Sequence, residues 1–144
     1  MAALTKDRST PYKALGTMRH RRTGVAAATK CFKGGIAAKN AAGFLVPATD
    51  AIGVTVVGIF EETVDNSAGA NGDLSATYVT GVEAELENAA GAVVQAAQKC
   101  YVVDDQSVMT AAVAVKDASV GTVAAFTAAK VWVYIDETVS VTGA

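Results

Sequence analysis

Short runs of β-branched and aromatic residues recur along this chain at spacings of about 8–12 residues, each closed by Gly, Asn, Asp, Ser or Pro. Runs that short do not build helices; they build an antiparallel sheet that folds back on itself. The stretch 56–81 shows the pattern most plainly. Val56-Val57-Gly58-Ile59-Phe60 reads as a buried strand, and 61–73 is a polar crossing rich in Asn, Asp, Ser and Gly. The run 76–79 reads as a second strand, closed by Gly81.

The same grammar covers the rest of the chain. Strands are predicted over 26–32 and 36–39, with Gly34-Gly35 and 40–43 as turns. The run 44–46 precedes Pro47, which ends that ladder or puts it on an edge. A strand over 54–62 follows. Over 82–87 the pattern alternates: Val82, Ala84 and Leu86 point one way, Glu83, Glu85 and Glu87 the other. Further strands are predicted over 99–104, 108–115, 120–128 and 130–135. In the last, Val131, Val133 and Ile135 share one face and Trp132 and Tyr134 the other. Neither face is polar, so this strand is central or part of an interface. The Ala and Gln of 89–98 favour helix while Gly91, Val93 and Val94 oppose it, so it reads as a loop with room for one helical turn.

The expected fold is therefore all-β, a small antiparallel β-barrel or sandwich. A chain of 144 residues fits one such domain, and much of its 51% hydrophobic content is Ala and Val, so the core is built from small side chains. Residues 1–24 read as an extended N-terminal arm: polar, without a sustained period, and interrupted by Pro11, Gly16 and Gly24. The body is expected over 25–136 and a loose tail over 137–144. Residues 1–33 carry eight basic residues against Asp7, a net +7, while the whole chain is −2, which leaves −9 on 34–144. A basic arm on an acidic body points to an acidic partner. Fully extended, two dozen residues span about 70–80 Å, at about 3.3–3.6 Å each.

Catalytic chemistry finds no support in the sequence. His20 is the single histidine and lies among Arg19, Arg21 and Arg22 in the arm. The adjacent pairs Glu61-Glu62 and Asp104-Asp105 point to opposite strand faces and form no acid/base dyad. The stretch 65–73 lacks the alternating acidic pattern of a calcium loop, and Gly34-Gly35 lacks the context of a phosphate loop. Cys31 and Cys100 lack metal-ligand spacing; free thiols made in a reducing cytoplasm are the default, and a disulfide between them turns on Cα geometry. No enzyme activity, metal or cofactor is expected. No apolar run approaches the ~18 residues of a membrane helix, and no signal peptide is expected.

Five runs carry a family resemblance. They are A-L-T-K-D-R-S-T-P over 3–11, K-C-F-K-G-G-I-A-A-K-N-A-A-G-F-L-V-P-A over 30–48, V-V-G-I-F-E-E-T-V-D-N-S-A-G-A-N-G-D over 56–73, K-C-Y-V-V-D-D-Q-S-V over 99–108, and K-V-W-V-Y-I over 130–135. Together, and in this order, they resemble the capsid cement (decoration) proteins of tailed bacteriophages, Mu-like ones included. Two segments depart from the family's pattern: 18–22 is more basic, and 89–98 is richer in Ala. The resemblance implies a compact barrel with an extended arm, made in the host cytoplasm and bound to the outside of the capsid. It implies trimers at local threefold positions that reinforce the major capsid protein lattice, with no catalysis and no cofactor. Leu4, Tyr12, Leu15, Met18, Arg19, Arg21 and Arg22 are then the candidate capsid-binding residues of the arm. Trp132, Tyr134, Glu83, Glu85 and Glu87 are candidates for the contact between subunits. A tail-tube or fibre subunit is the alternative, and a nucleic-acid-binding barrel using the basic arm is the less favoured one.

Overall fold

The structure is a computed structural model and describes residues 3–89, 93, 96–110 and 118–137. Its elements, among those residues, are all strands: β1 (Tyr12–Gly24), β2 (Thr29–Cys31), β3 (Ile36–Lys39), β4 (Leu45–Pro47), β5 (Thr55–Phe60), β6 (Val64–Asn66), β7 (Ser75–Asn88), β8 (Lys99–Val102), β9 (Ser107–Thr110), β10 (Ser119–Phe126) and β11 (Lys130–Ile135). Five of them close a barrel in the order β7–β11–β10–β8–β9 and back to β7. The fold is the all-β barrel that the strand spacing predicts.

The seams are antiparallel except one. Strands β7 and β9 pair in parallel over Glu87↔Ser107 and Asn88↔Val108. The β8–β9 hairpin reverses the chain, so β9 runs alongside the end of β7 in the same direction and closes the barrel there. A wholly antiparallel barrel is thus corrected at this seam.

Strand β7 serves both halves of the molecule. Its second half lines the barrel, where Val82, Ala84 and Leu86 are fully buried with Val131, Val133 and Ile135 of β11. Its first half pairs with β5, which pairs with β3 and then β4. The β3–β5–β7 sheet is buried on both faces: Ile36, Val56, Ile59 and Val79 join the barrel core, while Ala37, Val57, Phe60 and Tyr78 form a second cluster with Val25 and Cys31. Burial on both faces is why 56–60 is an unbroken apolar run. The small β2–β6 sheet contributes Cys31 and Val64 to that second cluster, and β6 lies inside the polar crossing that was expected to be all loop.

Strand β7 is continuous through Gly81, which corrects the two separate runs expected around it. Gly81 holds φ +72, and a Cβ there would lie 2.3 Å from the Thr17 carbonyl oxygen. The glycine is a bulge site opposite residues 15–18 of β1, where the β1–β7 register shifts. Cys31 and Cys100 are free, buried, and in separate core clusters, so the disulfide alternative does not arise. Residues 90–92, 94 and 95 of the loop read over 89–98 fall outside the described residues, as do 111–115 of the predicted 108–115 strand and 138–144 of the predicted tail.

Candidate functional site

The residues singled out in the N-terminal segment lie against the body of the same chain. Residues 12–24 form β1, which pairs antiparallel with β7 from Tyr12↔Ala84 to Gly24↔Ser75. Ahead of it, 3–11 rests in a seat formed by Gly34, Gly35, Asp105 and the end of β7. The Leu4 N–H donates to Asp105 Oδ1 at 2.8 Å, and the Arg8 N–H donates to the Lys33 carbonyl at 2.8 Å. Arg8 Nη1 donates to the Glu85 carbonyl at 2.9 Å, and its Nη2 lies 3.3 Å from Glu87 Oε1. The Thr10 hydroxyl donates to the Gly34 carbonyl, and the Thr63 hydroxyl donates to Asp7. Gly34 has φ +85, and a Cβ there would fall 1.7 Å from the Arg8 carbonyl oxygen, so only glycine lets the segment approach this closely.

Asp105 is 2% exposed, and burial holds its carboxyl above the usual carboxylate range, with the neighbouring Asp104 acting in the same direction and the Leu4 N–H opposing both. Between 8–12 and the end of β5 lies a cleft of about 350 Å³, lined in part by Arg8, Thr10, Tyr12, Lys33, Phe60 and Glu61. Tyr12 stays 41% exposed, and its hydroxyl is pushed up by partial burial and then by Glu61. Leu15 sits half-buried in the bulge, and Met18 packs on the barrel core.

The basic run of β1 is matched residue by residue. Alternation along the strand sends Arg19 and Arg21 one way and His20 and Arg22 the other. Arg19 Nη2 lies 3.0 Å from Asp136 Oδ1, and Arg21 Nε lies 3.0 Å from Glu137 Oε1. On the other side His20 Nδ1 meets Glu61 at 2.9 Å and Arg22 meets Glu62 at 3.2 Å. Two adjacent acidic pairs, Glu61-Glu62 and Asp136-Glu137, thus partner one strand, and the first of them is a pair that made no catalytic dyad. Glu137 also accepts from the Tyr78 hydroxyl at 3.1 Å and lies 3.7 Å from Lys39 Nζ. Burial, then Glu137, pushes the Tyr78 phenol up to about 12.

The residues predicted for subunit contact share one outer wall. Register pairs Trp132 with Glu85 and Tyr134 with Glu83 across β11 and β7, and Lys13 of β1 with Glu83 on the far side. The Lys13 ammonium stands 4.7 Å from the Trp132 ring centroid and 3.9 Å from Glu83. Glu87 takes Arg8 and Lys130, and the hydrogen bonds from them hold its carboxyl below the usual range, Lys130 contributing most. The glutamate row is therefore half-covered, with cations of this chain at both ends. Trp132 and Tyr134 are half-buried, and the Tyr134 hydroxyl donates to Asp136 Oδ2 at 3.1 Å.

Sequence reasoning did not find Arg8, Gly34, Asp105, Asp136 or Glu137 as parts of this surface. Their contacts join residues up to 117 positions apart, as in Arg19–Asp136, and leave no local pattern. The one available signal was compositional: a +7 segment attached to a −9 body. Among the described residues, no three His, Cys, Asp or Glu side chains are grouped to hold a metal ion. No protein-family model, curated protein or solved structure matches this chain.

Proposed function

We propose that this chain is a structural virion protein that binds the outer surface of a phage capsid and reinforces the major capsid protein lattice, as trimers at local threefold positions. The observation that carries the reading is where the five cement-like runs fall. The run 30–48 builds β2, β3 and β4; 56–73 builds nearly all of β5, with β6 and its loop; 99–108 builds β8 and opens β9; 130–135 is β11; and 3–11 is the seated N-terminal segment. The runs thus supply strands to both halves of the molecule and most of the lining of the cleft beside 8–12, while β1, β7 and β10 lie outside them. The outer wall carries two half-buried aromatics, Trp132 and Tyr134, of the kind enriched at interfaces, beside Lys13, Glu83 and Glu85.

The nucleic-acid reading loses ground because Arg19, Arg21 and Arg22 each have a carboxylate partner within the chain. Phosphate binding draws its energy from cations that can release counterions, and cations already paired contribute less. Cosedimentation of the purified chain with expanded capsids, with tails, and with duplex DNA at two salt concentrations tests the proposal. Saturable binding to capsids alone supports it. Binding to tails alone moves the chain to the tail-subunit reading, and salt-sensitive binding to DNA alone moves it to the nucleic-acid reading.

A further inference from the structure

The loop between β6 and β7 contains Asn71-Gly72, a dipeptide whose own backbone can attack its side chain. Each residue is present for a reason of folding. Asn71 Oδ1 accepts the Ala27 N–H at 2.8 Å. Gly72 holds φ +78, which favours glycine, and its N–H donates to the Val25 carbonyl at 2.9 Å. The loop is also tied down beside them. Buried Asn66 Nδ2 donates to the carbonyls of Val25, Ala26 and Ala70 at 3.2, 3.0 and 3.0 Å, and the Ala28 N–H donates to Gly69 at 3.2 Å. The loop is a clasp over 25–28, the chain that leaves β1 for β2.

We propose that Asn71-Gly72 is a latent deamidation site that the clasp holds closed. In the reaction the Gly72 nitrogen loses its proton to solvent base and attacks Asn71 Cγ. A new C–N bond forms, the Cγ–Nδ2 bond breaks, and ammonia leaves, giving a five-membered succinimide. Water then opens the ring at either carbonyl, to Asp or to the β-linked isoaspartate. Both reacting groups are occupied in the folded chain: the nucleophile's proton is given to Val25, and the side chain is held on the Ala27 N–H. Attack requires the Gly72 N–H to leave the Val25 carbonyl, so the site reacts from an opened loop. The two products differ in consequence. An aspartate at 71 still accepts from Ala27, whereas isoaspartate adds a backbone atom between 71 and 72 and moves Gly72 off Val25.

The test is peptide mapping by mass spectrometry at position 71 after incubation in mildly alkaline buffer, on the full chain, folded and in urea. The folded chain is expected to deamidate about tenfold or more slowly than the unfolded one, the suppression that a modest local opening free energy imposes. Native-state hydrogen exchange should show the Gly72 amide protected to a comparable degree. Asn71→Asp is expected to fold and to melt within about 2 °C of the parent, since it keeps the acceptor. Equal deamidation rates in the two states, or an unprotected Gly72 amide, overturns the proposal.

Discussion

Replacing Gly34 by Ala tests how the N-terminal segment is held. The new Cβ would fall 1.7 Å from the Arg8 carbonyl oxygen and 2.7 Å from its carbon, a clash with backbone on both counts. The segment 3–11 must leave its seat or the Gly34 turn must deform. A left-handed φ costs a β-carbon residue about 1–2 kcal/mol. Release of the segment returns chain entropy, which offsets much of the lost hydrogen bonding. It does not offset the buried Asp105 carboxylate, which loses the Leu4 N–H and with it about 1–3 kcal/mol. The net loss is about 2–5 kcal/mol, or a fall in Tm of about 4–20 °C for a chain of this size. Gly43→Ala is the matched control. Gly43 has φ +87 and nothing within 4 Å of its would-be Cβ, so it bears the backbone cost alone, about 2–8 °C. Calorimetry gives the two shifts, and brief trypsin treatment at Lys6 and Arg8 reports release of the segment. If Gly34→Ala melts no lower than Gly43→Ala and its segment stays as protected as the parent's, the seat contributes nothing and the reasoning fails.

The remaining predictions follow from the same contacts. Arg19→Met removes the charge partner of Asp136, whose side chain is only 4% exposed, and should cost about 2–3 kcal/mol in chemical denaturation, less than a fully buried pair because Arg19 is 33% exposed and Asp136 keeps the Tyr134 hydroxyl. Arg22→Met removes a pair exposed on both sides and should cost about 0–1 kcal/mol; equal losses for the two variants would contradict this. The Asp105 carboxyl is raised in the folded state, so its contribution is fully present below the ordinary aspartate value of 3.8 and is lost as pH rises through the folded value. Asp105→Asn should therefore melt above the parent at pH 7, with the gap narrowing toward pH values below 3.8; a constant gap would refute the assignment. Burial pushes the thiols of Cys31 and Cys100 up to about 12, so neither should react with iodoacetamide in the folded chain at neutral pH, and both should react in urea.

The parts of the fold legible in the sequence are those where one strand carries its own pattern. The alternation of Val82, Ala84 and Leu86 with three glutamates is reproduced in burial, and so is that of Val131, Val133 and Ile135 with Trp132 and Tyr134. Strands β3 and β11 fall where predicted, since turns bracket them closely. Strand β1 left no comparable signal because it pairs on one side only, with β7, and most of its side chains stay at least partly exposed. Glycine misled at position 81, where it permits a bulge rather than ending a strand. The ion pairs of Arg19 and Arg21 were out of reach for another reason: the pairing of β11 with β7, not any local pattern, brings residues 136 and 137 beside β1.

Electron cryomicroscopy of shells assembled from the cognate major capsid protein and incubated with this chain measures the proposed role most directly. The account predicts barrel-sized density in threes on the outer surface at local threefold positions, sparse or absent when Trp132 is replaced by Ala. Bare shells under saturating protein, or density confined to tails, would contradict it.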